Sequence, residues 1–191
     1  MISQSLQRHL AVANAVLGNL IPDIEEGAKI LLNAVRADKT LFTCGNGGSA
    51  ADSQHLSGEW LCKYKDDRKP LRAMALTADT STLTATANDY GYDEVFARQL
   101  KALGEAGDVL VAFTTSGQSK NILRAISQAK QNGMTVVVMT GGKGKDLKDK
   151  KDLADLAIVV PSEETARIQE MHELIIHLWS EFVDGELLGH A

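Results

Sequence analysis

Apolar residues recur at spacings of three and four along the start of the chain: Leu6, Leu10, Ala13, Leu17 and Leu20, then, after Pro22, Ile24, Ala28, Leu31, Leu32 and Val35. That period predicts two amphipathic helices before any strand. From position 40 onward the pattern changes to short apolar runs separated by helical stretches. Strands are predicted at Thr40 to Cys44, Ala73 to Leu76, Asp108 to Thr114, Thr135 to Thr140 and Ala157 to Val160. Helices are predicted at Ser49 to about Tyr64, Thr80 to Ala87, Asp93 to Leu103, Ser119 to Gln131 and Glu163 to about Leu187. Strands alternating with helices imply an α/β fold, a parallel sheet covered on both faces. Ligands of such sheets sit beyond the carboxyl ends of the strands.

Two loops occupy that position. Cys44-Gly45-Asn46-Gly47-Gly48-Ser49 and Thr114-Thr115-Ser116-Gly117-Gln118-Ser119 each follow an apolar run and open a helix. Glycine lets backbone approach an anion, hydroxyls donate to its oxygens, and the free N–H groups of the helix start face it. Two such loops in one small domain point to a phosphorylated ligand. Gly45 to Ala50 also fits a G-x-G-x-x-A dinucleotide pattern, but no acidic residue ends the next strand to take a ribose hydroxyl. Gly142-Lys143-Gly144-Lys145 resembles a P-loop without its spacing or its Ser/Thr.

Length and composition narrow the picture further. At 191 residues the chain is expected to form one domain over 1–191, with the helices of 1–37 used in packing or oligomerisation and 40–187 forming the core. The net charge of −5 gives no reason to expect nucleic acid or an anionic membrane, so local donors must hold a phosphate. The alternating charges of Lys143 to Asp152 read as a solvated loop and short helix. Cys44 and Cys62 lack metal-ligand spacing and are expected as reduced thiols. The start of the chain lacks a signal-peptide pattern and no run reaches spanning length, so the expected location is cytoplasmic.

His55 and Glu59 stand four apart on the helix that the first loop opens, and Gln169, Glu173 and His177 stand at i, i+4 and i+8 on the last helix, with His172 on another face. Each set has a plain reading, a surface ion pair in the first case and wet-side polar positions in the second. Together they also offer a carboxylate base, an imidazole acid and metal ligands. Gln169 and His177 are on the order of 12 Å apart along the backbone, a gap that their side chains can span around an ion bonded at about 2 Å. Asn88-Asp89 reads either as a turn or as an acceptor for the hydroxyls of a polyol.

These motifs are similar to those of the sugar isomerase (SIS) domain family, in particular its bacterial phosphoheptose isomerases. The likeness is carried by Cys44 to Asp52, His55, Glu59, Asn88 to Gly91, Thr115 to Ser119 and Thr165 to His172, and it spans about residues 2 to 184. It implies a three-layer αβα sandwich on a five-stranded parallel sheet. It also implies a homotetramer with active sites between subunits, and conversion of sedoheptulose 7-phosphate to D-glycero-D-manno-heptose 7-phosphate, a precursor step for ADP-heptose and lipopolysaccharide. By this likeness Ser49, Thr114, Thr115, Ser116 and Ser119 hold the phosphate, and Asn46, Gly47, Gly48, Asn88 and Asp89 line the sugar. Gln169 meets the reacting end, and Glu59 and His177 transfer protons through an enediol or enediolate, Glu59 touching substrate as well. His55, Glu59, Gln169 and His177 match the family's zinc positions, about one ion per subunit.

The resemblance has one departure and one competitor. Relatives carry Gly-Arg-Tyr where this chain has Cys62-Lys63-Tyr64, and lysine keeps the charge but loses the bidentate fork. A related SIS protein binds the bacterial replication initiator without catalysis and shares Ala166 to His172. Glu59, His177 and Gly48 separate the readings, because an isomerase requires the first two and a scaffold does not.

Overall fold

The computed structural model describes residues 1–189; the last two positions of the domain expected over 1–191 lie outside the described residues. The two leading helices are α1 (Ile2–Asn19) and α2 (Ile21–Arg36), which meet at Leu20, with Pro22 in the first turn of α2. Proline is harmless there because the first-turn N–H groups have no helical partner. The core then runs β1 (Leu41–Cys44), α3 (Gly48–Leu61), β2 (Ala73–Ala75), α4 (Thr80–Tyr90), a 3₁₀ turn (Tyr92–Glu94) and α5 (Ala97–Leu103). It continues with β3 (Val109–Thr114), α6 (Lys120–Gln131), β4 (Thr135–Gly141), a 3₁₀ segment (Gly142–Asp149), β5 (Leu156–Val160) and α7 (Thr165–Leu188). The five strands form one parallel sheet in the order β2-β1-β3-β4-β5.

Alternation along the strands sorts the core into two layers. Val109, Val111 and Phe113 of β3 and Val137 and Met139 of β4 face α1, α2, α3 and α7. Leu110 and Ala112, with Val136 and Val138, face α5 and α6. Both faces of the sheet are therefore covered, as continuous apolar strands require. The strand order reverses between β1 and β3, so the ends of these neighbouring strands form the crevice where ligands of open α/β sheets bind.

Several element ends differ from the sequence expectation. The helix expected to reach Tyr64 ends at Leu61, because Arg68 reaches back and caps it: Nη2 donates to the Glu59 carbonyl at 2.8 Å and Nη1 to that of Trp60 at 3.1 Å. Such a cap from a distant side chain leaves no local signal. The helix expected to stop at Ala87 runs on to Tyr90 and ends at Gly91, whose φ of 90° an L-residue rarely adopts, so Asn88 and Asp89 lie in a helical last turn. The helix expected over Asp93 to Leu103 breaks into the 3₁₀ turn and α5, with Val95 and Phe96 buried at the joint.

The N-terminal pair docks on α7. Trp179 is fully buried, its Nε1 donates to the Ile24 carbonyl at 2.9 Å, and its ring lies where a Gly27 side chain would stand. Arg167 holds α1 through the carbonyl and hydroxyl of Ser5 at 2.7 and 3.1 Å. A methyl group at Gly27 would come within 2.6 Å of Trp179. Gly27→Ala is therefore expected to destabilise the fold by about 1–3 kcal/mol through overpacking, whereas Gly18→Ala, with nothing within 4 Å, should cost nothing. Urea denaturation of the two variants checks the contrast.

Candidate active site

The two hydroxyl-bearing loops leave the adjacent strands β1 and β3, and a reciprocal amide bond clasps them together. Asn46 Nδ2 donates to Asn121 Oδ1 at 2.9 Å, and Asn121 Nδ2 returns a bond to Asn46 Oδ1 at 2.8 Å. Tyr92 Oη adds a third bond to Asn46 Oδ1 at 3.2 Å. Asn46 thus fixes the spacing of the loops. Its partner Asn121 is buried in the first turn of α6, a functional residue that the sequence reading passed over. Its one signal is a poor helix former placed inside a helix start.

Gly47 adopts a φ of 57°, and nothing stands within 4 Å of where its side chain would be, so loop one presents open backbone to the crevice. Ser49 is buried. In loop two, Thr114 is buried and its Oγ1 accepts from the Gly117 N–H at 3.2 Å, while Ser116 Oγ accepts from the Gln118 N–H at 3.2 Å. Thr115, Ser116 and Ser119 are half-buried, and Ser119 stands at the N-cap of α6 without spending its hydroxyl on a cap bond. These hydroxyls and the start of α6 are the anion-binding parts that the sequence suggested. The 3₁₀ segment Gly142–Asp149 covers this loop: a methyl group at Gly117 would strike Gly144 Cα at 2.6 Å.

The second half of the site lies between α3 and α7, which run parallel and meet rung by rung. At the first rung, a methyl group on Gly48 would come within 2.5 Å of Gln169 Nε2, so the missing side chain makes room for that amide. One turn on, the Asp52 carboxyl faces Glu173 and lies 3.8 Å from Nδ1 of fully buried His172. At the next rung His55 contacts Glu173 through Nδ1 and Glu59 Oε1 through Nε2, the latter at 3.1 Å. Its ring also meets that of His177 edge to face, with centroids 4.9 Å apart, and Tyr64 stacks on the other side of His177 at 5.7 Å.

Electrostatics follow from this crowding. Burial disfavours a charged His55 ring, but the bonds and charges of Glu173 and Glu59 outweigh it and lift the imidazole above its ordinary value. Burial raises the Glu173 carboxyl, the facing Asp52 adds to the rise, and His55 offsets part of it. Burial also pushes the Cys44 thiol far up, which makes it an inert packing group.

The structure thus brings His55, Glu59, His177 and the unassigned Glu173 together. One donor atom each from His55, Glu173 and His177 lies within 4.8 Å of the others, near enough for modest side-chain rotation to seat a zinc ion at about 2.0–2.1 Å. Gln169 stands at the Gly48 rung. Asn88 and Asp89 bond one another at 2.7 Å on an exposed helix turn.

The chain is similar to proteins of known family. A model of the SIS domain matches residues 6–141. A phosphoheptose isomerase of Thiobacillus denitrificans is 50% identical over 185 residues, covering 97% of this chain and 92% of that protein. One from Leptospira biflexa is 44% identical, covering 99% and 96%. Among solved structures, phosphoheptose isomerase from Neisseria gonorrhoeae superposes with a TM-score of 0.89 at 38% identity, over 96% of this chain and 97% of that one. The structure of one from Francisella tularensis does so at 0.91 and 36%, over 96% of each.

Arg68 supports the His55 rung from beneath. Its side chain is 4% exposed, and Nε bonds Asp184 Oδ1 of α7 at 2.5 Å while the other nitrogens hold the end of α3. Removing one member of a buried ion pair strands the other charge, so Arg68→Ala is expected to cost about 3–5 kcal/mol. Thermal and urea unfolding measure it. Arg68→Lys should recover only part, because one ammonium cannot reach both carbonyls and the carboxylate.

Proposed function

The chain belongs to the SIS domain family, among its phosphoheptose isomerases, and on that premise we propose that it interconverts sedoheptulose 7-phosphate and D-glycero-D-manno-heptose 7-phosphate. The observation that carries this reading is the placement of a hydroxyl-rich anion cradle at the β1/β3 crevice beside a cluster of two imidazoles and two carboxylates. One part suits a phosphate and the other suits proton transfer.

In this reading Ser49, Thr114, Thr115, Ser116 and Ser119 bind the phosphate. Binding energy gathered there orients the remote end of the sugar, where Asn46, Gly47, Gly48, Asn88, Asp89 and Gln169 line the chain of hydroxyls. Ketose-to-aldose conversion moves one proton from C1 to C2 and one from O1 to O2. Glu59 takes the proton from C1 and returns it to C2. His177 moves the proton between the oxygens, and the Tyr64 ring stacked on it limits its rotation. His55 and His177 would hold a zinc ion, which would supply Lewis-acid polarisation of the carbonyl and offset negative charge on its oxygens. The product would feed ADP-heptose and lipopolysaccharide core synthesis in the cytoplasm; no helix among the described residues is long and apolar enough to cross a membrane.

The same reading includes a homotetramer. Ile2, Leu6, Leu10 and Leu17 of α1 are exposed, as are Leu174, Leu178 and Phe182 along α7 beside the catalytic face. An apolar surface of this extent favours burial against other subunits, and its position supports sites completed between chains. Light scattering should report a tetramer, and Leu6→Glu with Leu10→Glu should reduce its size and its turnover together; a fully active monomer contradicts the shared-site idea.

The direct test is incubation of the purified protein with sedoheptulose 7-phosphate and detection of the aldose. Glu59→Gln and His177→Asn are each expected to lower turnover by about a hundredfold or more while substrate still binds through its phosphate. The unphosphorylated heptulose should react with much lower catalytic efficiency. Equal efficiency for both sugars removes the cradle, normal turnover in Glu59→Gln removes Glu59 as the base, and absence of turnover in the wild-type chain favours the initiator-binding scaffold.

A further inference from the structure

Side chains tie the two crevice loops together at one place. Asn46 stands one residue before Gly47, whose φ of 57° is left-handed and whose surroundings are open, and Asn121 stands two residues after Ser119. Among the described residues, no other side-chain hydrogen bond joins 45–49 to 115–121. The bonding fixes the orientation of both amides. A backbone N–H can only donate, so the atom of Asn121 that meets the Ile122 N–H at 3.0 Å is the oxygen. Asn121 Nδ2 then donates to Asn46 Oδ1 at 2.8 Å, and Asn46 Nδ2 donates back to Asn121 Oδ1 at 2.9 Å. An amide oxygen has two lone pairs. Those of Asn121 are taken by Ile122 and Asn46, and those of Asn46 by Asn121 and Tyr92. Each amide keeps one N–H and no free acceptor, so half-buried Asn46 offers the crevice a donor alone.

We propose that Asn121 is a positioning residue for phosphate: acting through Asn46, it holds the first loop at a fixed spacing from the second and turns the Asn46 amide so that only N–H faces the ligand. The proposal rests on the phosphate reading of the loops given above. Asn121 is itself buried, 3% exposed, so its effect on a ligand passes through its partner. It is also a poor helix former within the first turn of α6, and it does not serve as the cap, because Ser119 holds that position. Its amide is spent on the other loop. Loops already held in the bound arrangement bind more tightly, because the ligand does not have to order them. Without Asn121, Asn46 keeps only the bond from Tyr92, an exposed side chain, and the first loop loses its tie to α6.

Phosphorus NMR titration measures the affinity for inorganic phosphate of the purified full chain and of N121A, N121S, N46A and N46A/N121A, with folding checked by circular dichroism. Steady-state kinetics with sedoheptulose 7-phosphate give KM and kcat for the wild type and N121A. We expect N121A to bind phosphate about tenfold or more weakly, the scale of leaving a buried polar partner unpaired. Its KM should rise in proportion while kcat changes less, since Glu59 and His177 stand on α3 and α7, which the substitution does not touch. The double variant should bind phosphate within about twofold of N46A, because residues that act through one another are not additive. Phosphate affinity in N121A within about twofold of wild type, which a merely structural amide would give, overturns the proposal. Losses that multiply in the double variant also overturn it, as does a fall in kcat at unchanged KM. N121S, whose hydroxyl is too short to reach Asn46, should repeat N121A and takes its place if N121A does not fold. A wild-type chain that binds phosphate but does not isomerise the sugar removes the isomerase reading alone, and the phosphate titrations still decide the role of Asn121. If the wild-type chain binds no phosphate, the cradle reading falls and takes this assignment with it.

Discussion

The parallel pairing of α3 with α7 is the constraint on which the site depends. Both helices follow strands of one parallel sheet and pack on the same face, so both run opposite to the strands and alongside each other. Residues three or four apart on one helix then meet residues four apart on the other: Gly48 with Gln169, Asp52 with Glu173, and His55 with His177. The chemistry-bearing side chains form a ladder whose rung spacing is the helical turn. Antiparallel helices would reverse that order and scatter the same residues.

A ladder of polar groups between packed helices is costly, and the protein offsets the cost at its ends. Beyond the His55 rung, Arg68 joins the last carbonyls of α3 to Asp184 of α7 with its side chain almost entirely out of water. Before it, Gly48 lets the helices approach closely enough to enclose the Gln169 amide. Apolar contacts fill the space below, with Leu56 and Trp60 of α3 and Met171, Ile175 and Trp179 of α7 all buried in one cluster. Between these supports stand Asp52 and His172, both buried and incompletely bonded. Polar groups left unsatisfied in a well-packed interior mark a place where stability has been given up for function.

The loop end of the site depends on the sheet. Reversal of strand order between β1 and β3 leaves a crevice that no crossover helix covers. The Asn46–Asn121 clasp sets the distance between the two loops that flank it. The crevice and the ladder share α3, whose first turn follows the first loop and whose third and fourth turns carry His55 and Glu59. In the proposed reading, one rigid element would hold both the phosphate and the reacting carbon at opposite ends of one sugar, the arrangement that makes remote binding energy useful.

Much of this was legible in the residues alone. Apolar periodicity located every strand and helix of the core to within a few positions, because buried faces repeat with the period of the element that carries them. Local composition marked both loops, since glycines and hydroxyls at strand ends have few other uses, and the i, i+4 spacings placed His55 with Glu59 and Gln169 with Glu173 and His177. Three things were decided only by packing. Where α3 ends was set by Arg68; how the loops are spaced was set by Asn121; and which carboxylate meets which nitrogen of His55 was set by the register of α3 on α7. Each joins groups on different elements or segments, and helical or strand periodicity reports which face a residue occupies but not what stands opposite it.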